Sequence, residues 1–128
     1  MILTDTSVVV VYERAPTPRL RRIAADNDAA VCGVAVAEMF AGVRTPADEA
    51  RCRSALADFR SLPIPESVWE TVGRNQAQLR ANGVTVPLPD TVVASLAEAL
   101  NVELWAYDAH FALIQRVLPA LQLFQEPP

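Results

Sequence analysis

Short apolar runs alternate along the chain with longer stretches in which apolar residues recur every three or four positions. The runs indicate strands and the periodic stretches indicate helices. Strands are predicted at residues 2–4, 29–33, 61–65, 102–108 and 121–124. Helices are predicted at residues 7–13, 17–25, 34–44, 46–60, 66–83, 89–101 and 109–119, with a rigid loop at 85–89. Helix and strand therefore alternate over nearly the whole sequence.

This alternation predicts the fold class. Strands that are separated by helices form a mostly parallel sheet, because right-handed crossovers place the helices on its two faces. We therefore expect a three-layer α/β/α architecture. A chain of 128 residues with 52% hydrophobic content can bury one ordinary core, which predicts a single domain over residues 1–128. Residues 124–128 are expected to form a flexible tail.

Two predicted strands run into an aspartate that is followed by a helix. Asp5 ends the run ILT, and Asp108 ends the run VELWAY. Because parallel strands end at the same edge of a sheet, both carboxylates should emerge together. An aspartate in this position can cap the following helix, or it can contribute to a ligand site, because ligands of α/β sheets gather at this edge. The strand pattern leaves both interpretations open.

Two further acids lie on predicted helices. Glu38 stands in the run VAVAEMFAGV, which is apolar on all sides and is expected to be buried. A buried carboxylate without a counter-charge is costly, which favours a functional role for Glu38. Asp90 follows a proline at the start of an apolar helix, where an ordinary N-cap is the alternative. His110, the only histidine, is expected to be a surface or core residue.

Composition excludes several classes of protein. The net charge of −4 argues against a generic nucleic-acid binder, although arginines bunched at 19–22 and 51–60 could form a local positive surface or simply the solvated faces of helices. The chain contains no lysine, which argues against P-loop enzymes, response-regulator receivers and haloacid-dehalogenase phosphatases. Two distant cysteines suggest neither a disulfide nor a zinc site. The absence of a signal-like or membrane-spanning segment predicts a cytoplasmic protein.

The four acids, taken in order with their neighbours, resemble a known family. Asp5 in DTS, Glu38 in AEMFAGVR, Asp90 in PDTVVASLA and Asp108 in LWAYDAHF look like the acidic positions of PIN-domain ribonucleases, and they are similar to VapC toxins of bacterial toxin–antitoxin pairs. The resemblance extends from residue 2 to about residue 124. Each motif alone is weak, and it is their common order and spacing that carries the resemblance.

The resemblance implies a PIN fold, endoribonuclease activity that depends on Mg²⁺ or Mn²⁺, homodimerisation and inhibition by a cognate VapB-type antitoxin. It implies that Asp5 and Asp90 bind the metal directly, that Asp108 binds it directly or through water, and that Glu38 orients or deprotonates the attacking water. Ala106 departs from the family, which often has Thr or Ser there, and the candidate replacements are Thr6, Ser7 and Thr91. The alternative is a non-catalytic PIN-like module that binds RNA or a protein.

Overall fold

A computed structural model describes all 128 residues and contains four strands and seven helices. The strands are β1 (Ile2–Thr4), β2 (Ala29–Cys32), β3 (Arg60–Leu62) and β4 (Glu103–Trp105). The helices are α1 (Thr6–Arg14), α2 (Pro18–Asp26), α3 (Gly33–Ala41), α4 (Pro46–Leu56), α5 (Val68–Ala81), α6 (Leu88–Leu100) and α7 (His110–Val117). Every predicted helix is present, with its ends shifted by a few residues.

The four strands form one parallel sheet in the order β3-β2-β1-β4. Helices cover both faces, so the predicted three-layer α/β/α architecture is confirmed. The strand predicted at 121–124 is wrong in extent, because the segment makes only a single bridge, between Leu104 and Leu123. Strand β3 is also short and begins one residue earlier than predicted. Both lie at edges of the sheet, where one neighbouring strand provides all the pairing.

Alternation along the central strand separates the core into two clusters. Leu3 of β1 lies in a cluster with residues of α5, α6 and α7, whereas Ile2 lies in a cluster with residues of α1, α2, α3 and α4. Successive side chains of a strand point to opposite faces of the sheet, which explains this division. Burying one such aliphatic side chain stabilises the fold by about 1.5–3 kcal/mol. Strand β1 therefore anchors both outer layers.

The residues at several helix ends explain where these helices begin and end. Thr17 and Thr45 each cap a helix that begins with a proline, and each threonine hydroxyl accepts a backbone N–H. Helix α5 ends at Ala81, and Gly83 follows with a φ of 76°, a conformation that glycine adopts without steric cost. No helix combines the length and the apolar character that crossing a membrane requires.

The carboxyl-terminal segment contains neither helix nor strand beyond the bridge at Leu123, yet it makes defined contacts. Phe124 packs edge-on against Trp105, with ring centroids 5.9 Å apart. Glu126 accepts a hydrogen bond from the indole nitrogen of Trp105 at 2.9 Å. The segment is thereby fastened to the end of β4.

Candidate metal centre

The ends of β1 and β4 bring two of the four acids to one edge of the sheet. Thr4 pairs with Trp105, and the backbone N–H of Asp5 donates to the carbonyl of Trp105 at 2.9 Å. Asp108 follows three residues after that carbonyl. The expectation that Asp5 and Asp108 emerge at the same edge is therefore confirmed by the register of the two strands.

Asp5 caps helix α1, as one interpretation of the sequence predicts. Its Oδ2 accepts hydrogen bonds from the backbone N–H of Ser7 at 3.0 Å and from the Ser7 hydroxyl at 2.6 Å. The residue is only 5% exposed, and its Oδ1 accepts no hydrogen bond within the protein. Capping therefore occupies one carboxylate oxygen and leaves the other free for a ligand.

Asp108 makes a related hydrogen bond just before α7, although the N-cap of that helix is Ala109. Its Oδ1 accepts a hydrogen bond from the backbone N–H of His110 at 2.8 Å, while its Oδ2 has no partner in the protein. Asp5 and Asp108 each accept the N–H of the residue two positions later, but only Asp5 directly follows its strand. The strand predicted at 102–108 ends at Trp105, so Asp108 lies in the loop that follows β4.

Asp90 is not an N-cap, and that alternative is wrong. Helix α6 begins at Leu88 with Pro87 at the cap position, so Asp90 lies inside the first turn and makes no capping hydrogen bond. Its Oδ2 instead lies 2.7 Å from Nδ1 of His110, and the side chain is only 15% exposed. Helix α6 therefore presents Asp90 to the loop that carries Asp108.

His110 completes this cluster, although the sequence predicts only a surface or core residue at this position. Its Nδ1 lies 3.3 Å from Oδ1 of Asp108 as well as 2.7 Å from Asp90. Ligand atoms of Asp90, Asp108 and His110 all lie within 4.8 Å of one another. No local sequence pattern signals this contact, because Asp90 and His110 lie on different helices.

The electrostatics of the cluster reflect crowded negative charge. Burial raises the pKa of Asp90, the nearby carboxylates of Asp5 and Asp108 raise it further, and the hydrogen bond to His110 opposes them. The hydrogen bond to Asp90 raises the pKa of His110, and the charges of Asp108 and Asp5 act in the same direction. Asp5 is therefore close enough to share one electrostatic environment with the other two aspartates.

Glu38 does not have the buried position that its apolar surroundings in the sequence predict. The prediction that it is buried is wrong, because α3 buries only Ala35 and Met39 and exposes Glu38 to solvent. The small residues that make the α3 sequence apolar also allow one side of the helix to face solvent. Oε1 of Glu38 accepts a hydrogen bond from the Thr6 hydroxyl at 2.6 Å. Glu38 is thus linked to the first turn of α1, beside Asp5, and lies outside the cluster around His110.

The three candidate hydroxyls have different roles. Thr6 contacts Glu38, and Thr91 donates to the side chain of Gln76 on α5. Only Ser7 connects the ends of β1 and β4, because its hydroxyl donates to Asp5 and accepts from the backbone N–H of Tyr107 at 3.0 Å. Ser7 is therefore the hydroxyl that supports the loop around Ala106.

The donor set fits a hard divalent cation. Asp5, Asp90 and Asp108 each use one carboxylate oxygen in an internal hydrogen bond and leave the other without a partner. No arginine forms an ion pair with any of the three. Carboxylate oxygens with this freedom are the ligands that Mg²⁺ and related ions prefer. Asp90 and Asp108, together with His110, have ligand atoms close enough to hold such an ion, and Asp5 lies outside this group.

Comparisons with known proteins identify the family and the fold. Residues 2–117 match the family model described as PIN domain. Solved structures with the same fold include VapBC2 from Rickettsia felis bound to promoter DNA, with 19% identity, a TM-score of 0.81 and coverage of 97% of this chain and 98% of that chain. DNA-bound VapBC from Salmonella typhimurium is 15% identical, with a TM-score of 0.78 and coverage of 97% of this chain and 98% of that chain. VapBC-5 from Mycobacterium tuberculosis is 19% identical, with a TM-score of 0.71 and coverage of 97% of each chain. No curated protein sequence is significantly similar to the chain. Because the family model spans most of its length, the chain belongs to the PIN domain family.

Proposed function

We propose that the protein is a metal-dependent endoribonuclease and the toxin of a VapBC-type toxin–antitoxin pair. The observation that carries the proposal is the convergence of Asp90 and Asp108, with Asp5 in the same electrostatic environment, at the strand ends of a PIN fold. Each aspartate has one oxygen without a partner, and no arginine neutralises the group. Such an arrangement is suited to binding a cation rather than to stabilising the fold.

In this proposal Asp5 and Asp90 bind Mg²⁺ or Mn²⁺ directly, and Asp108 binds it directly or through water. When bound, such an ion neutralises charge on a phosphodiester and lowers the pKa of a water molecule. The Thr6 hydroxyl holds Oε1 of Glu38 and leaves Oε2 free to orient the attacking water or accept its proton. His110 holds Oδ2 of Asp90, which directs the other oxygen of that carboxylate away from the imidazole ring.

The partners of the proposed activity are RNA, a VapB-type antitoxin and a second copy of the chain, all acting in the cytoplasm. Support for the antitoxin comes from the structural relatives, which are VapBC complexes, some of them bound to DNA. The exposed position of Glu38 supports access of a large substrate to the sheet edge. A non-catalytic module would have no need of three aspartates with unpartnered oxygens.

Cleavage of RNA tests the enzymatic part of the proposal. Purified protein is expected to cut RNA with Mg²⁺ or Mn²⁺ and to stop in EDTA, and Asp90→Asn is expected to lower the rate at least about 100-fold, since an essential ligand is lost. Asp26→Asn, which changes an exposed aspartate on α2, is the matched control and should cut at the wild-type rate. Cleavage that continues in EDTA, or that only Zn²⁺ restores, would contradict an all-oxygen metal site.

Growth tests separate a toxin from an inert binding module. Induced expression is expected to arrest bacterial growth, and Asp90→Asn is expected to relieve the arrest at an equal level of protein. Co-expression with a cognate VapB-type antitoxin should also relieve it, and the two proteins should elute as one complex. Equal toxicity of wild type and variant would show that binding, rather than hydrolysis, causes the arrest. Light scattering of the free protein measures the proposed homodimer directly.

A further inference from the structure

The carboxyl-terminal segment runs alongside β4 and brings Glu126 to the base of the loop that carries Asp108. The backbone N–H of Leu104 donates to the carbonyl of Gln122, and the N–H of Phe124 donates to the carbonyl of Leu104, both at 2.8 Å. Phe124 also packs against the ring of Trp105. These contacts set the position of Glu126, two residues further along the chain.

Glu126 accepts hydrogen bonds from the residues on both sides of Ala106. Its Oε2 accepts hydrogen bonds from Nε1 of Trp105 at 2.9 Å and from the hydroxyl of Tyr107. Its Oε1 accepts from Arg19 at 3.1 Å. The Glu126 side chain is 23% exposed, so these are partly desolvated, charge-assisted hydrogen bonds, which are stronger than neutral ones. One carboxylate oxygen thereby holds the two residues that flank Ala106.

The same loop is tied to Asp5 through its backbone. The N–H of Tyr107 donates to Oγ of Ser7 at 3.0 Å, and that hydroxyl donates to Oδ2 of Asp5 at 2.6 Å. Asp108 is the next residue after Tyr107, and its own Oδ1 accepts the N–H of His110. Tyr107 is therefore held at both ends, by Glu126 at its hydroxyl and by Ser7 at its backbone N–H, and Ser7 in turn binds Asp5.

We infer that Glu126 is a positioning residue for Asp5 and Asp108, acting through Trp105, Tyr107 and Ser7. The inference deepens the proposed function, because its consequence for metal binding rests on that proposal. Packing alone would not require a carboxylate at this position, since Phe124 already covers the ring of Trp105. Side chains that orient metal ligands typically change metal affinity 10–100-fold when they are removed.

Three variants isolate the role of Glu126. Glu126→Ala removes all of its hydrogen bonds, whereas Glu126→Gln keeps an oxygen that can accept from Trp105 and Tyr107. Arg19→Ala removes the half-exposed partner of the other oxygen, together with its hydrogen bond to the carbonyl of Pro127. Glu103→Ala, which removes an exposed glutamate on β4 that makes no side-chain hydrogen bond, is the matched control. All four are compared with wild type below the onset of thermal unfolding, so that every sample is folded.

Binding of Mn²⁺ is measured from the electron paramagnetic resonance signal of the free ion. We expect Glu126→Ala to raise the dissociation constant about tenfold, and Glu126→Gln to restore it to within about threefold of wild type. Arg19→Ala and Glu103→Ala should remain within the same threefold range. A wild-type dissociation constant for Glu126→Ala, or equal losses for Glu126→Ala and Glu126→Gln, would overturn the inference about metal binding.

Amide hydrogen exchange in EDTA tests the positioning without any metal. Glu126→Ala is expected to accelerate exchange of the amides of Tyr107, His110 and Ser7 at least about fivefold relative to amides of β1 and β2, since their acceptors lie on this network. Unchanged exchange at all three would overturn the inference. If wild type bound no Mn²⁺ while these amides still responded, the proposed metal-dependent function would fail and the positioning by Glu126 would stand.

Discussion

A single aspartate can be both a structural cap and a ligand, because a carboxylate has two oxygens. Asp5 gives Oδ2 to Ser7 and keeps Oδ1 free, and Asp108 gives Oδ1 to the N–H of His110 and keeps Oδ2 free. Only Asp5 is the N-cap of its helix, but in both residues the hydrogen bond fixes the direction of the second oxygen without consuming it. The two interpretations of a strand-terminal aspartate are therefore compatible at this sheet edge.

Substitutions at Asp5 distinguish the effect of its helix-capping hydrogen bond on stability from the effect of its negative charge. Asn keeps a capping oxygen and removes a negative charge that repels Asp90, so Asp5→Asn is expected to leave the metal-free protein equally stable or to stabilise it by about 1 kcal/mol. Asp5→Ala removes the cap and is expected to lower the free energy of unfolding by about 0.5–2 kcal/mol. Urea unfolding in EDTA measures both. Equal destabilisation by Asn and Ala would mean that the charge itself holds the fold.

The carboxylate of Glu126 should make stability depend on pH. Burial tends to raise its pKa, but hydrogen bonds from Tyr107, Trp105 and Arg19 outweigh burial and hold the pKa below its ordinary value of 4.5. The pKa of Glu126 is lower in the folded than in the unfolded protein, so ionised Glu126 stabilises the fold above pH 4.5. This contribution is lost as the pH falls through the pKa that Glu126 has in the folded protein.

We therefore expect Glu126→Gln to lower the free energy of unfolding by about 1 kcal/mol near neutral pH, and the loss to shrink toward zero in acid. Urea unfolding of both proteins over a series of pH values measures the difference. Glu103→Gln should differ little from wild type at any pH, because Glu103 is exposed. A difference for Glu126→Gln that does not change with pH would rule out a role for its charge.

Among the secondary structure elements, periodicity predicted the helices well because each buries one face. The sheet edges were harder to predict, since the 121–124 segment pairs with β4 at one residue and its apolar residues are held by packing rather than by a ladder. Glu38 was misjudged because a helix of small apolar residues need not be enclosed on all sides. The contact between His110 and Asp90 joins residues on different helices, which no local pattern contains.

A buried polar pair joins the helix that carries Asp90 to its neighbour. The side-chain amide of Asn75 on α5 donates to the hydroxyl of Ser95 on α6 at 2.9 Å, and the two residues are 8% and 0% exposed. Nearby, Thr91 donates to Gln76, whose amide donates to the carbonyl of Val86 at 3.1 Å. Buried polar pairs of this kind favour one relative arrangement of two packed helices.

Removing one partner of this pair should cost more than removing both. Ser95→Ala leaves the Asn75 amide without an acceptor and is expected to lower the free energy of unfolding by about 1–3 kcal/mol, whereas Asn75→Leu combined with Ser95→Ala should recover much of the loss. Gln78→Ala on the exposed side of α5 is the control and should change stability by less than about 0.5 kcal/mol. Thermal and urea unfolding measure all four proteins. A double variant less stable than Ser95→Ala would contradict this account.

For the whole molecule, the layered core and the acidic edge have opposite effects on stability. Two apolar clusters on either side of the sheet hold the chain together. At one end of the sheet the aspartates lie close together in partly buried surroundings, which raises the pKa of Asp90 and opposes folding at neutral pH. No arginine forms an ion pair with them, and His110 is the one basic side chain in contact with Asp90 and Asp108. A divalent ion should therefore stabilise the folded molecule through this edge.

Metal removal tests this coupling between the site and the fold. An ion that binds only the folded state raises the free energy of unfolding by about 2.7 kcal/mol at a concentration 100 times its dissociation constant. We expect Mg²⁺ to raise the thermal midpoint of wild type, EDTA to reverse the change, and Asp90→Asn to respond much less, whereas Asp26→Asn should respond like wild type. Differential scanning calorimetry across a Mg²⁺ series measures the shifts, with Na⁺ at equal ionic strength as the reference. Equal stabilisation of Asp90→Asn and wild type would assign the effect to general screening of negative charge rather than to a site at the sheet edge.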